Sequence, residues 1–171
     1  MSISLSSYSI SKEIFSNFLK LIFTFEREIE IDAPIEKVWE VMTNPNFWPQ
    51  WFPGIESVTN AAQTEEGPSF EFTNEKGSGR GVIVKMEPLR KLEIITQIGN
   101  DKDKHEFELK PSGGFFGLKA DECKVEYELD TLMGGGILGN FVAGGNPIDA
   151  MKVKKTMHLL RKLVESQVTG K

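Results

Sequence analysis

Ile29-Glu30-Ile31-Asp32-Ala33-Pro34-Ile35-Glu36-Lys37-Val38-Trp39-Glu40-Val41 changes its hydrophobic period partway along. Up to Asp32 apolar and acidic residues alternate. Reading backwards, Phe23, Phe25, Ile29 and Ile31 share one face, while Glu26, Glu28, Glu30 and Asp32 share the other. That is the pattern of a half-buried strand over about 22–32. Arg27 falls on the apolar side, where a charge that cannot be shed needs a carboxylate, an anionic ligand or a route to solvent. Ala33-Pro34 stops the strand, and Pro34 suits a first helical turn. Val38, Trp39, Val41 and Met42 then fall at helical spacing to about residue 43.

Asn44-Pro45 reads as a cap followed by proline, opening a second short helix through Trp51 that Pro49, Pro53 and Gly54 bring to an end. Strands are expected near 55–62, 68–74, 79–88, 90–99, 103–111 and 121–131. Turn signals separate them at Glu66-Gly67-Pro68, Gly77-Ser78-Gly79, Pro88, Gly99-Asn100-Asp101 and Pro111-Ser112-Gly113-Gly114. Short strands joined by tight turns argue for an antiparallel meander. In the last strand Cys123, Val125, Tyr127 and Leu129 alternate with Glu122, Lys124, Glu126, Glu128 and Asp130. After a glycine-rich apolar stretch, 133–145, Asn146-Pro147 opens a helix to about 168. Val153, Met157, Leu160, Leu163 and Val164 form its apolar stripe, opposite Lys154, His158, Arg161, Lys162 and Glu165. At ~1.5 Å per residue that helix is roughly 33 Å long, enough to cross a small domain.

The fold expected is therefore α+β. A curved antiparallel sheet of about seven strands wraps around a long C-terminal helix, with two short helices after the first strand. Large twisted sheets curl, the helix plugs the concave face, and two short helices cannot fill the open end. An internal hydrophobic cavity follows. The domain is expected to span 22–168, after an extension, 1–21, made of a disordered lead and a possible short helix at 11–21.

The chain has 171 residues, 39% hydrophobic and 26% charged, with a net charge of -5 and a pI near 5.2. That balance gives no general attraction to phosphate backbones, so no nucleic acid partner is expected. Cys123 is the only cysteine; it fits a reducing compartment, and without a basic n-region at the start the cytoplasm is the default location. No apolar run approaches the roughly 20 residues of a membrane span.

The opening segment 29–41, the Asn44-Pro45 pair and Trp48-Pro49-Gln50-Trp51-Phe52-Pro53-Gly54-Ile55 resemble the START/SRPBCC (helix-grip, Bet v 1-like) superfamily, in particular its polyketide cyclase/dehydrase-like branch. Tyr127-Glu128-Leu129, then Gly135-Gly136-Ile137-Leu138-Gly139, then a terminal helix, match it too. The resemblance covers about 22–168. It implies a helix-grip fold with a deep hydrophobic pocket. Its relatives include lipid and sterol carriers, plant hormone binders, coenzyme-Q-binding proteins, aromatase/cyclases and iron-dependent ring-hydroxylating subunits. The last are disfavoured because the only histidines, His105 and His158, lie on separate elements.

Candidate ligand-binding residues are Arg27, Trp48, Trp51, Phe52, Phe70, Phe72, Thr96, His105, Phe107, Tyr127, Phe141, Val153, Met157 and Leu160. His105 shares a strand face with Phe107 and Leu109, and with Tyr127 it is the candidate for acid/base work. Thr96 and Thr156 could each add a hydroxyl. Phe47, Trp48, Trp51 and Phe52 pack over the core or form a pocket lid. Phe115 and Phe116 sit at a hairpin tip, where they pack down or touch a membrane or partner. Gly134, Gly136 and Gly139 match G-x-G-x-x-G, but no strand follows the helix as a dinucleotide site requires. No cofactor and no metal is expected. Cys123 reads as core filler. The function expected is binding of a small hydrophobic ligand (a lipid, an isoprenoid or quinone, or an aromatic polyketide-like molecule), as carrier or sensor. The alternatives are a cyclase, aromatase or dehydratase using cavity polar groups, and a membrane-peripheral delivery module. Monomer and homodimer both remain open.

Overall fold

The structure, a computed structural model, describes residues 28–52, 54–112, 122–132 and 147–170. Arg27, the helix expected over 11–21, the hairpin tip expected at Phe115-Phe116 and the glycine-rich segment with Phe141 lie outside these residues.

The chain runs β1 (Glu28–Ile31), α1 (Ile35–Thr43), a 3-10 turn (Pro45–Phe47), α2 (Trp48–Trp51), β2 (Ser57–Thr64), β3 (Gly67–Asn74), β4 (Gly77–Glu87), β5 (Lys91–Ile98), β6 (Asp101–Ser112), β7 (Glu122–Leu132) and α3 (Pro147–Thr169). The seven strands form one antiparallel sheet in the order β1-β7-β6-β5-β4-β3-β2. Only the β1–β7 pair joins strands distant in sequence; the rest is a meander of hairpins.

The local chemistry explains the joints. Pro34 occupies the cap before α1 rather than its first turn, and its carbonyl accepts from Lys37 N and Val38 N at 2.9 and 3.2 Å. Asn44 Oδ1 accepts from Asn46 N at 3.0 Å, capping the 3-10 turn that leads into α2. Two hairpin turns sit earlier than the glycines suggest. They fall at Glu65-Glu66 and Glu75-Lys76, and Gly67 and Gly77 open the next strands with positive φ of 124° and 127°. Gly79 is thereby left inside β4, not in a turn.

That placement has a packing reason. Phe72 pairs with Gly79 and Phe70 with Gly81 across the β3–β4 ladder. A Cβ on Gly79 would lie 2.5 Å from Phe72 Cζ, and one on Gly81 would overlap the Phe70 ring. The two phenyl rings lie over bare backbone.

One face of the sheet is continuous and apolar: Phe70 and Phe72, then Leu92 and Ile94, then Phe107 and Leu109, then Val125 and Leu129, all buried. Helix α3 packs against α2, β1 and β7, burying Val153, Met157, Leu160 and Val164 and half-burying Leu163. Trp48 closes one end. Its Nε1–H donates to Met42 O at 2.7 Å, and its ring meets Phe70 edge-on at 4.6 Å.

The opposite face carries an ion-pair ladder. Lys91 contacts Glu93, Glu106 and Glu108, and Lys104 contacts Glu93 and Glu106. Lys110 reaches Glu126 and Lys124 reaches Glu28. The hydrogen bond to Glu106 is the main reason Lys91 holds its proton more tightly than a free lysine.

Candidate functional site: a cavity with an uncharged polar line

Between the sheet, α3 and the α2 exit lies a cavity of about 740 Å³, within the size range of small-molecule sites. Trp51, Phe52 and Ile55 close it from the α2 side. Phe72, Ile98 and Leu129 come from the sheet, and Thr156 and Leu159 from α3. The lining also carries charges of both signs: Glu56, Glu75, Lys76, Asp101, Asp103, Lys152 and Lys155. None of these is buried, so they form the outer part of the lining.

His105, on β6, sits in the inner wall and is 6% exposed. Its Nε2 is 2.9 Å from Thr96 Oγ1 on β5, and its Nδ1 is 2.9 Å from Tyr127 Oη on β7. The three side chains cross three adjacent strands as one hydrogen-bonded line. Thr96 has no other hydrogen-bond partner for its hydroxyl among the described residues. The arrangement that leaves the Thr96 donor in use has Thr96 O–H donating to Nε2 and Nδ1–H donating to Tyr127 Oη. Burial, assisted by the nearby Lys152 cation, pushes the His105 pKa down to about 3. The imidazole is therefore neutral across the physiological range, and the line carries no net charge.

Aromatic rings frame it. Tyr127 stacks on Phe107 at 4.3 Å, the Phe52 edge meets His105 at 4.7 Å, and Phe52 stacks on Trp51 at 5.2 Å. Trp51 Nε1 is buried without a hydrogen-bond partner. Leaving such a donor unpaired costs about 1–3 kcal/mol.

Of the candidate residues, the cavity wall includes Trp51, Phe52, Phe72, Thr96, His105 and Tyr127. Trp48, Phe70, Phe107, Val153, Met157 and Leu160 are buried in the core behind it. Arg27 and Phe141 lie outside the described residues. Thr156 lines the cavity, but its hydroxyl donates to Lys152 O at 2.8 Å within the helix. Burial raises the Cys123 pKa to about 11, so its thiol stays protonated. Among the described residues no group of three or more His, Cys, Asp or Glu could hold a metal ion, and no described helix is long and apolar enough to cross a membrane.

Sequence reasoning found His105 but no partner for it, because both partners are cross-strand diagonals. It also gave no sign of the unpaired Trp51 donor. The usable signal was the Gly99-Asn100 hairpin. It sets Ile98 opposite Asp101, hence Ile94 opposite His105 and Thr96 one inward position away.

Comparison with known proteins places this arrangement. The chain is similar to a conserved Geobacillus kaustophilus protein (TM-score 0.58, 14% identity, 82% of this chain and 93% of that one covered). It is also similar to a START superfamily protein from Mycobacterium smegmatis (0.57, 19%, 84% and 94%) and to a protein from Deinococcus radiodurans (0.55, 13%, 84% and 96%). At these identities the likeness is one of fold. No curated protein matches the chain. The model of one family, described as polyketide cyclase / dehydrase and lipid transport, matches residues 23–165. By that match the chain belongs to the polyketide cyclase / dehydrase and lipid transport family, and its seven-stranded sheet with a C-terminal helix is a fold it shares with the START superfamily protein.

Proposed function

We propose that the protein binds one small, mainly apolar molecule in this cavity, as carrier or sensor, in the cytoplasm. The supporting observation is the 740 Å³ cavity, whose inner wall combines aromatic rings with an uncharged Thr96–His105–Tyr127 line. Transfer of apolar surface from water, about 25 cal/mol per Å², supplies the affinity, and the polar line orients the ligand. A lipid, an isoprenoid or quinone, and an aromatic polyketide-like molecule all fit that description.

The same line favours one other reading, a cyclase or dehydratase in which it moves protons. The chemistry of His105 weighs against it. A base with a pKa near 3 is a poor proton acceptor at neutral pH, and its acid form is scarcely populated.

Native mass spectrometry of gently purified protein, followed by organic extraction, tests the carrier reading. A co-purified apolar molecule near one per chain supports it and names the class. An empty protein that also fails to take up any lipid, quinone or aromatic polyketide offered in solution rules it out.

A further inference from the structure

Among the described residues, Trp51 carries the one buried side-chain polar atom without a hydrogen-bond partner. Its near neighbour Trp48 shows the ordinary solution, an Nε1–H donated to a backbone carbonyl, Met42 O, at 2.7 Å. Trp51 differs in lying on the cavity wall, under the stacked ring of Phe52. The Thr96–His105–Tyr127 line beside it is adaptable. Reversing the direction of its hydrogen bonds lets either end offer a proton or accept one. The indole is not adaptable, since its nitrogen can only donate. What Trp51 Nε1 lacks is therefore an acceptor atom.

Among the described residues no group supplies one to it. The carboxylates among the lining residues, Glu56, Glu75, Asp101 and Asp103, are not buried, and the inner groups near Trp51 are aromatic rings and the polar line. We propose that the ligand carries a neutral carbonyl-type oxygen, as in a ketone, quinone or ester, and that Trp51 Nε1–H donates to it once Phe52 swings off the indole. This rests on the ligand-binding reading above and adds the chemical class. Trp51 is completely buried, and Phe52, at the exit of α2 with φ −96° and ψ 94°, is the ring stacked on it.

The test compares two probes on one carbon frame, 2-acetylnaphthalene and 2-ethylnaphthalene, against the full chain and Trp51→Phe. Simple transfer from water favours the hydrocarbon, so the informative quantity is how the substitution changes each affinity. Trp51→Phe keeps a ring and removes the N–H. Ketone affinity falls on the order of five- to tenfold, while ethyl affinity stays within about twofold. In the 15N–1H spectrum of the unsubstituted protein the Trp51 indole signal shifts with the ketone and not with the hydrocarbon. The Trp48 indole signal stays in place and reports an intact fold in the variant. Equal losses for both probes, or an unmoved Trp51 signal, overturn the carbonyl assignment and leave the ligand-binding reading standing. Failure of both probes to bind the unsubstituted protein overturns the carbonyl assignment, while the extraction and uptake experiment above decides the ligand-binding reading separately.

Discussion

At the scale of single residues, His105 shows how the neighbourhood sets the chemistry. Alone on a strand it would titrate near neutrality. Set between two hydroxyls and under aromatic rings, it is held neutral, with its pKa lowered to about 3. The unfolded chain binds that proton near pH 6.5, and the folded chain does not. Between those values the unfolded state holds more protons, so stability rises with pH. The contribution is complete above pH 6.5 and is lost progressively as pH falls toward 3. At pH 5 the loss amounts to about 2 kcal/mol. Replacing His105 with glutamine removes the titration and keeps a neutral hydrogen-bonding side chain. Urea unfolding from pH 7.5 to 5 should then show a flatter decline than wild type by about that amount. Parallel curves would mean that His105 takes up its proton in the folded state as easily as in the unfolded one. Separately, Tyr127→Phe removes one link of the line without changing its shape much. It should lower unfolding free energy by roughly 1 kcal/mol, measurable by the same titration at pH 7.

At the scale of elements, the β3–β4 hairpin carries a dependence that composition hides. Phe70 and Phe72 lie over Gly81 and Gly79, so an added methyl pushes a ring off the inner face. Gly81→Ala should cost roughly 1–3 kcal/mol, seen as a lowered melting temperature. Gly81→Ala combined with Phe70→Leu should recover part of that cost, since the smaller side chain yields the space. A Gly81→Ala protein with wild-type stability would show that the ring has a second equally good position. This hairpin also marks where sequence reading reaches its limit. The alternation in β7 and the apolar stripe of α3 were legible because each is a simple period with one buried side. The glycines of 77–79 read as a turn because glycine both permits turns and permits close packing, and composition does not separate the two roles. The cross-strand partners of His105 depended on register, which a two-residue hairpin sets and a list of strands does not. Trp51 and Trp48 are three residues apart on α2, yet only the fold decides which indole finds a carbonyl.

At the scale of the whole molecule, the sheet has two faces with separate work. One bears the Lys91, Lys104, Lys110 and Lys124 ladder, and the other, with α3, encloses the cavity. Ligand taken up on the enclosed side should stabilise the entire fold, because it binds the folded state alone. At a hundred times the dissociation constant the gain is about 2.7 kcal/mol, which for a chain of this size is a rise of roughly 5–10 °C in melting temperature. Ile98 and Leu159 line the cavity from the sheet and from α3, and both are only half-buried, so larger side chains there can extend into the cavity. Ile98→Trp with Leu159→Trp should narrow the space between the two walls. The doubly substituted protein should melt within a few degrees of the unliganded wild type and lose most of the ligand-induced rise. If instead it folds as well and is stabilised by the same ligand to the same degree, the molecule binds outside the cavity. The charged outer face would then be the surface to search.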